Sequence, residues 1–342
     1  MRVETIESSL RKDWDAFVLS HPLSIAWQSF GWSEVVAKHY PLRFYPLAAI
    51  EEGGKLSGVL PLYRLLDRKG PPTLISVPFA VAGGIVATNQ EAEHALLQHA
   101  IELAKTEQAE RIVFKQYKRR IQGDLQTDEN YYNRELDVGR APDLIWDELA
   151  DVNKEQIERA RKLQPRLEFP SKDVGTFHEL LLGHMHRSGI PCPSRAWIQG
   201  LVDSGMYEIA LYHKGGQVVA ATMTKEFKKT VSFPFSCRRP TDAQGSLFLY
   251  GLYWELILHF AEKGLDIVHS GRIPNTDETD AYRLGWGGTK YPYFNQYYPP
   301  SDRPTEFKRK RGWKRQFFST GWRYLPRPVA GWLGPRITAR YP

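Results

Sequence analysis

The chain has 342 residues, 42% of them hydrophobic, 25% charged and 13% aromatic, with a formal net charge of +7. That composition excludes a disordered or collagen-like polymer and suits a globular protein with room for two domains. The charge is lopsided: from Arg303 onward eleven Lys and Arg stand against Glu306 alone, so a polyanion would be met by one terminal segment and not by an all-over basic coat.

The N-terminal MRVETIESSLRKD carries charges where a signal peptide needs an apolar centre, and the longest nearly apolar run, Leu247 to Ala261, contains Glu255 and is too short to span a bilayer. A cytoplasmic protein is expected. In chain order, a first helix is expected from about Ser29. A hairpin follows from Leu47 to Leu62, with alternating apolar runs on either side of Gly53-Gly54. SVPF (Ser76 to Phe79) leads through a loop to an amphipathic helix, Gln90 to Gln108, and a short strand, Glu110 to Phe114. Helices are expected over Asn153–Leu167, Thr176–Ser188 and around Ser194–Asp203, with Ser194 as an N-cap after Pro193 and Gly189 as a stop. The first order then returns: a hairpin, Ile209 to Thr224, about Gly215-Gly216; SFPF at Ser232 to Phe235; a helix, Ser246 to Lys263; a strand, Leu265 to His269. The offsets are 162 for the Gly-Gly pairs, 156 for the Ser-x-Pro-Phe pairs and 155 for the closing strands. Constant order at nearly constant offset indicates a duplicated α/β unit, each copy needing a helix to cover its sheet. The expected domains are 1–151, 152–300 (closed by the aromatic run YPYFNQYYP) and a basic aromatic tail, 301–342.

Hairpin, strand, loop, helix, strand and final strand is the order of the GNAT acyltransferase fold, and two such units resemble the FemAB family of twin-domain aminoacyltransferases. The resemblance covers nearly the whole chain. It rests on WQSFGW (Trp27 to Trp32), GVLPL (Gly58 to Leu62), SVPFAVAGG (Ser76 to Gly84), RARK (Arg159 to Lys162), HRSGIPCP (His186 to Pro193), SGR (Ser270 to Arg272) and YRLGWG (Tyr282 to Gly287). The SVPFAVAGG segment and the closing WRYLPRPVAGWLGPRI are similar to the subgroup that accompanies exosortase-linked exopolysaccharide systems. The family usually shows Gly-Arg-Ser and then Phe-Lys-x-Gly-Phe-Gly; here Ile273 replaces the Ser and Arg283 stands in the Lys position. The charge is kept, whereas an amine that can lose its proton is not. The resemblance implies an α/β fold of two tandem GNAT-like domains, the first on the acceptor side and the second on the donor side. It also implies no tightly bound cofactor and a donor that is either aminoacyl-tRNA or acyl-CoA.

Acyl transfer to an amine needs a neutral amine, a polarised carbonyl and positioning of both substrates. No Gly-x-Ser-x-Gly elbow is present, and Cys192 and Cys237 read as packing residues. His178, His184 and His186 share a helix, but the second and third point roughly 240° and 80° around it from the first, so no metal is expected. Leu265 to Gly288 is the most functional-looking segment. A short strand delivers His269 and Arg272 at its C-terminal end, and a polar loop then reaches Tyr282 and Arg283. Arg272 and Arg283 are candidate clamps on a phosphate or carboxylate, and Tyr282 and His269 candidate proton handlers. Either this is a site or the arginines make ordinary surface salt bridges.

The junction Cys237 to Ser246 receives a donor pyrophosphate in GNAT folds, so Arg238, Arg239, Gly245 and Ser246 are donor-binding candidates, with N-capping as the plain alternative for Ser246. The loop has less glycine than a full CoA loop carries, and because family members that use aminoacyl-tRNA also lack a sharp CoA loop, the resemblance favours tRNA or another carrier as donor. Arg159, Arg161, Lys162 and Arg166 form a basic run that would suit tRNA phosphates or a solvated helix face. In the first unit Trp32, Phe79, Gly83 and Gly84 are candidates for an open acceptor floor, and Lys38 and Lys115 for phosphate contacts; core packing and solvated surface are the alternatives. The tail, with Trp313, Phe317, Phe318, Trp322, Trp332 and Leu333 among basic clusters, suits an anionic membrane surface, RNA, or packing against the body. The leading expectation is an acyl- or aminoacyltransferase that N-acylates a cell-envelope precursor, a peptidoglycan intermediate or exopolysaccharide unit, at the inner face of the membrane. A CoA-dependent N-acetyltransferase and a non-catalytic membrane-associated scaffold are the alternatives.

Overall fold

The computed structural model describes residues 1–6, 10–65, 70–239, 246–275, 285–300 and 313–339, the side chains of 313–318 excepted. Tyr282, Arg283 and Gly245 lie outside the described residues. Two compact units divide the chain. The first holds Met1–Tyr132 and the segment from Tyr291; the second holds Asn133–Lys290 and the C-terminal helices.

The first unit contains β1 (Arg2–Thr5), α1 (Arg11–Ser20), α2 (Phe30–His39), β2 (Arg43–Ile50), β3 (Leu56–Leu65), β4 (Thr73–Ser76), β5 (Val86–Ala87), α3 (Gln90–Thr106), β6 (Arg111–Tyr117) and the start of β7 (Gln126–Asp137). The expected hairpin is β2–β3, paired antiparallel from Arg43↔Arg64 to Ile50↔Leu56. β4 then pairs parallel with β6, as a strand does whose connection crosses over through a helix. That helix is α3, capped by Asn89, whose side chain accepts from Ala92 N at 2.8 Å. Its apolar stripe, Leu96, Leu97, Ala100 and Ala104, packs with Leu47, Leu60, Leu62, Ile112 and Phe114 of the sheet.

The second unit contains the end of β7, α4 (Pro142–Asp147), α5 (Asp151–Lys162), β8 (Arg166–Ser171), α6 (Val174–Arg187), α7 (Arg195–Asp203), β9 (Glu208–Lys214), β10 (Gln217–Phe227), β11 (Thr230–Ser232), β12 (Ser236–Arg238), α8 (Leu247–Glu262), β13 (Ile267–His269) and β14 (Ile273–Pro274). Only Gly215 and Gly216 separate β9 from β10. Both have positive φ, +56° and +76°, the requirement of a type I′ turn whose twist matches its strands. β11 and β13 pair parallel around α8, repeating the β4–β6 arrangement around α3. The α8 side chains Leu252, Leu256, Ile257 and Phe260 bury with Leu136, Ala210, Val231 and Val268 of the sheet. Ser194 caps α7 by accepting from Trp197 N at 3.0 Å, and Gly189, at φ +70°, ends the α6 region.

Three differences from the expected organisation matter. The helix expected to Leu167 stops at Lys162, and Arg166 opens strand β8, so it does not share a helical face with Arg159 and Arg161. The aromatic strand β15 (Thr289–Tyr298) pairs antiparallel with β6 from Tyr293↔Tyr117 to Tyr298↔Ile112, and so belongs from Tyr291 to the first unit. The C-terminal end of β7 pairs antiparallel with β13 in the second unit, Glu135↔His269 among the pairs. β6 of the first unit and β13 of the second are therefore each paired with a strand that comes from the other half of the sequence. The tail helices α9 (Trp313–Tyr324) and α10 (Arg327–Thr338) belong to the second unit, where Trp322 and Ala330 are buried and His186 Nε2 lies 2.9 Å from Leu325 O.

Candidate functional site

Strand register builds a polar row in the second unit. Lys225 pairs with Ser232, Ser232 with His269, and His269 with Glu135, so the four residues stand side by side across β10, β11, β13 and β7. Directly paired residues share a face of the sheet, and successive residues alternate faces. Val231, Val268 and Leu136 pack in the apolar cluster with α8, so the row points to the opposite face. His269 Nε2 lies 3.4 Å from Glu135 Oε1, with side-chain exposures of 16% and 7%. Lys225 is 4% exposed. Desolvation pushes its ammonium down to about 7, because an apolar surrounding penalises the charged form. Lys225 Nζ also lies 4.9 Å from the Tyr207 ring centroid. A lysine that is substantially neutral near pH 7, in a row with a carboxylate–histidine pair, is equipped to accept and return protons.

The segment after β13 is held to β7. Ser270 N donates to Arg134 O at 3.0 Å, Gly271 N to Asn133 Oδ1 at 3.1 Å, and Arg134 Nη1 to Gly287 O and Gly288 O at 3.1 and 2.9 Å. Arg272 follows Gly271 directly and is exposed. A Cβ on Gly288 would lie 2.5 Å from Glu135 O, so this glycine permits the close approach of main chain to main chain beside the row.

The other sequence candidates fall into separate places. Arg238 ends β12; Arg239 Nε donates to Val218 O at 2.6 Å; Ser246 precedes α8, and its side chain makes no capping bond. Arg159 is 3.7 Å from Glu155 on an exposed face, and the Arg161 guanidinium stands 5.9 Å from the Trp146 ring centroid. Cys192 and Cys237 are buried, and burial pushes both thiols up, Cys192 to about 12, so neither is a ready thiolate. His178 Nε2 lies 3.0 Å from Pro193 O.

In the first unit Trp32 Nε1 donates to Pro78 O at 3.2 Å, Phe79 stacks on Tyr40 at 4.2 Å, and Lys115 Nζ donates to Ala80 O at 3.1 Å. These three gather about residues 77–84, while Lys38 is exposed on α2. Gly83 and Gly84 do not form the open floor expected of them. A Cβ on Gly83 would lie 2.3 Å from Val77 Cγ2, and one on Gly84 would lie 2.7 Å from the Gln116 amide. The glycines instead let the loop lie on β6, where Gly83 N and Gly84 N both donate to Lys115 O, at 2.9 and 2.7 Å. They do border a small cavity of about 20 Å³ whose polar wall includes Gln28, Glu93, Arg119 and Arg120. Glu93 pairs with Arg119 and accepts from Gln122 N at 3.2 Å, so its carboxylate is already engaged.

The tail divides its aromatics. Trp322 is buried, whereas Tyr324, Val329 and Trp332 are exposed, and the Arg336 guanidinium lies 4.0 Å from the Trp332 ring centroid. Trp313, Phe317 and Phe318 lie outside the described side chains. No helix among the described residues is long and apolar enough to cross a membrane.

Two units that each wrap a hairpin and a parallel strand pair around one long helix define the tandem GNAT fold. Among solved structures, FemX matches with a TM-score of 0.68 at 15% identity, covering 86% of this chain and 97% of its own. The C-terminal domain of a putative lysylphosphatidylglycerol synthetase from Agrobacterium fabrum matches with a TM-score of 0.58 at 13% identity, over 86% of this chain and 93% of that one. A tandem GNAT protein from the clavulanic acid biosynthesis pathway matches at 0.52 and 13% identity, over 88% and 100%. No protein-family model and no curated protein sequence matches the chain. These likenesses establish the twin-unit fold.

Proposed function

We propose that this protein transfers an acyl or aminoacyl group from an activated carrier to an amino group of a cell-envelope precursor. The observation that carries the reading is the row of buried Lys225 and Glu135 with half-buried Ser232 and His269, set in a fold shared with tandem GNAT proteins. The acceptor ammonium gives a proton to His269 or Lys225. Its nitrogen attacks the donor carbonyl carbon, the new C–N bond forms as the C–O or C–S bond breaks, and the carrier leaves as a hydroxyl or thiol once it receives a proton. Arg272 and Arg283 hold the anionic part of the donor, and Tyr282 serves the leaving group. Trp32, Phe79 and Lys115 are on the acceptor side.

Aminoacyl-tRNA is the favoured donor, because Gln244-Gly245-Ser246 has less glycine than a CoA-cradling loop. The acceptor class is a peptidoglycan intermediate or an exopolysaccharide unit. Peripheral docking on the inner membrane surface is assigned to Tyr324, Val329 and Trp332 with Arg323, Arg327 and Arg336: the described part of the tail carries no acidic residue, and its exposed rings match the depth of lipid headgroups.

The test is incubation with alanyl-tRNA or acetyl-CoA and a nucleotide-linked muropeptide, with the N-acylated product read by mass spectrometry. Product is expected with charged tRNA from the parent and not from Arg272→Ala with Arg283→Ala. A thermal shift with acetyl-CoA and none with charged tRNA selects the CoA-dependent reading. No product with either donor, together with flotation on anionic vesicles, replaces the enzyme with a membrane-bound scaffold.

A further inference from the structure

The acyl-transfer steps use His269 and Lys225 and leave Ser232 and Glu135 without a part. Strand order sets Ser232 on β11 between Lys225 on β10 and His269 on β13, and sets His269 between Ser232 and Glu135 on β7. Neighbouring strands run roughly 4.8 Å apart, so a hydroxyl, an imidazole and a carboxylate follow one another within side-chain reach on one face of the sheet. His269 turns Nε2 to Glu135, 3.4 Å from Oε1, which leaves Nδ1 as the ring nitrogen for Ser232.

The Ser232 hydroxyl is not committed to the fold. Its Oγ lies 3.5 Å from Lys225 O, at the limit of hydrogen bonding, whereas Ser76, which ends the matching strand of the first unit, is tied to Lys115 N at 2.9 Å. Ser232 and His269 are also the last pair of the β11–β13 ladder. Beyond them the chain after β11 turns to β10, where Met223 N donates to Phe235 O at 2.9 Å. The chain after β13 turns to β7, where Ser270 N donates to Arg134 O at 3.0 Å. The hydroxyl and the imidazole therefore stand half-buried where two strands part, and the carboxylate beside them is buried. A reactive pair needs that combination: an edge a substrate can approach and an orienting charge kept from solvent screening.

We infer that Ser232 is a nucleophile, activated by His269 and Glu135, that cleaves activated acyl esters or thioesters through an acyl-serine intermediate. A serine, histidine and carboxylate set is defined by roles and geometry, not by order along the chain. His269 takes the Ser232 proton as Oγ attacks the carbonyl carbon. The Oγ–C bond forms, the bond from the carbonyl carbon to the alcohol oxygen or thiol sulfur breaks, and the leaving group takes the proton back from the imidazolium. Water then gives a proton to His269 while its oxygen joins the acyl carbon; Ser232 Oγ leaves with that proton, and the carboxylic acid is released. Glu135 orients the ring and steadies its charged form. Lys225, on the other side of Ser232, offers N–H to the carbonyl oxygen as it turns negative. This activity uses the row on which the acyl-transfer reading stands, but it needs no envelope acceptor and no natural carrier, so the two fail separately.

The experiment mixes the full chain with p-nitrophenyl acetate, follows p-nitrophenol release, and maps the acetylated peptide in acid-quenched samples by mass spectrometry. Release faster than in buffer, with an acetyl group on Ser232, is expected. Ser232→Ala loses both. Ser232→Cys keeps an adduct, now a thioester, which shows that the strand junction still folds and still acylates. Glu135→Gln and His269→Ala retain the hydroxyl and slow acylation, by about tenfold or more and about a hundredfold or more. Release no faster than in buffer, acetyl groups on lysines alone, or an unchanged rate in Ser232→Ala overturns the inference. Transfer from charged tRNA is measured separately on the same variants; its loss with the Ser232 adduct intact counts against the transfer reading alone.

Discussion

The two copies of the repeated skeleton use the same strand end differently. In the first unit Ser76 closes β4 and its Oγ accepts from Lys115 N at 2.9 Å, while the Lys115 ammonium reaches main-chain oxygen at Ala80. The intervening loop is tightly held, with Val77 and Phe79 at φ +45° and +59°, a conformation side-chain-bearing residues adopt only when their surroundings impose it. In the second unit Ser232 closes β11 beside His269, which faces Glu135, and the cation of that row is a desolvated Lys225. One copy commits its cation to holding main chain. The other keeps titratable side chains next to one another, and the difference shows that duplication fixes where strands end without fixing what chemistry stands there.

The comparison breaks most clearly at His269. His269→Ala should lower acyl transfer by about a hundredfold or more with the fold retained, whereas a change at the matching place in the first unit should act on stability. Gly83→Ala should destabilise the protein by about 3 kcal/mol, because its Cβ meets Val77 and its φ is +141°; denaturant unfolding measures this. Lys225→Met should stabilise the protein at pH 7 by on the order of 2 kcal/mol. The Lys225 pKa falls from 10.5 in the unfolded chain to about 7 in the folded one. The unfolded state therefore binds the extra proton between those values, so parent stability rises with pH across that window and is flat below it; the methionine variant loses that slope. Lys115→Met should cost about 1 kcal/mol of stability through lost bonds to the loop. Arg159→Ala, on an exposed pair, should change Tm by less than the equivalent of about 0.5 kcal/mol.

The skeleton was legible because hairpins, caps and the parallel pair are written in local patterns. Gly215-Gly216 encodes a two-residue turn, Asn89 and Ser194 announce helix starts, and the near-constant offsets announce the second copy. Strand pairing between distant segments was not, since an aromatic run such as Tyr291–Tyr298 suits pairing with strands of either unit equally well. That is also why Glu135 was invisible as a site residue: only the register Glu135↔His269 brings it to the row. Lys225 left a signal that period-2 reading can use. It interrupts an otherwise apolar face of β10, where Ile209 and Met223 pair two positions earlier. Ser232 was visible as the first residue of SFPF and not as a nucleophile, because His269 and Glu135 come beside it only through strand register.

The return of β15 to the first sheet bears on how the polypeptide is made. Until Tyr298 has emerged from the ribosome, β6 has a neighbour only on its β4 side, and its seven residues present an open row of amide and carbonyl groups. Nascent chains stalled or cleaved before Thr289 would carry that unsatisfied edge permanently. They should be sticky, short-lived species that need chaperone cover even when the amino-terminal core beneath them is already built.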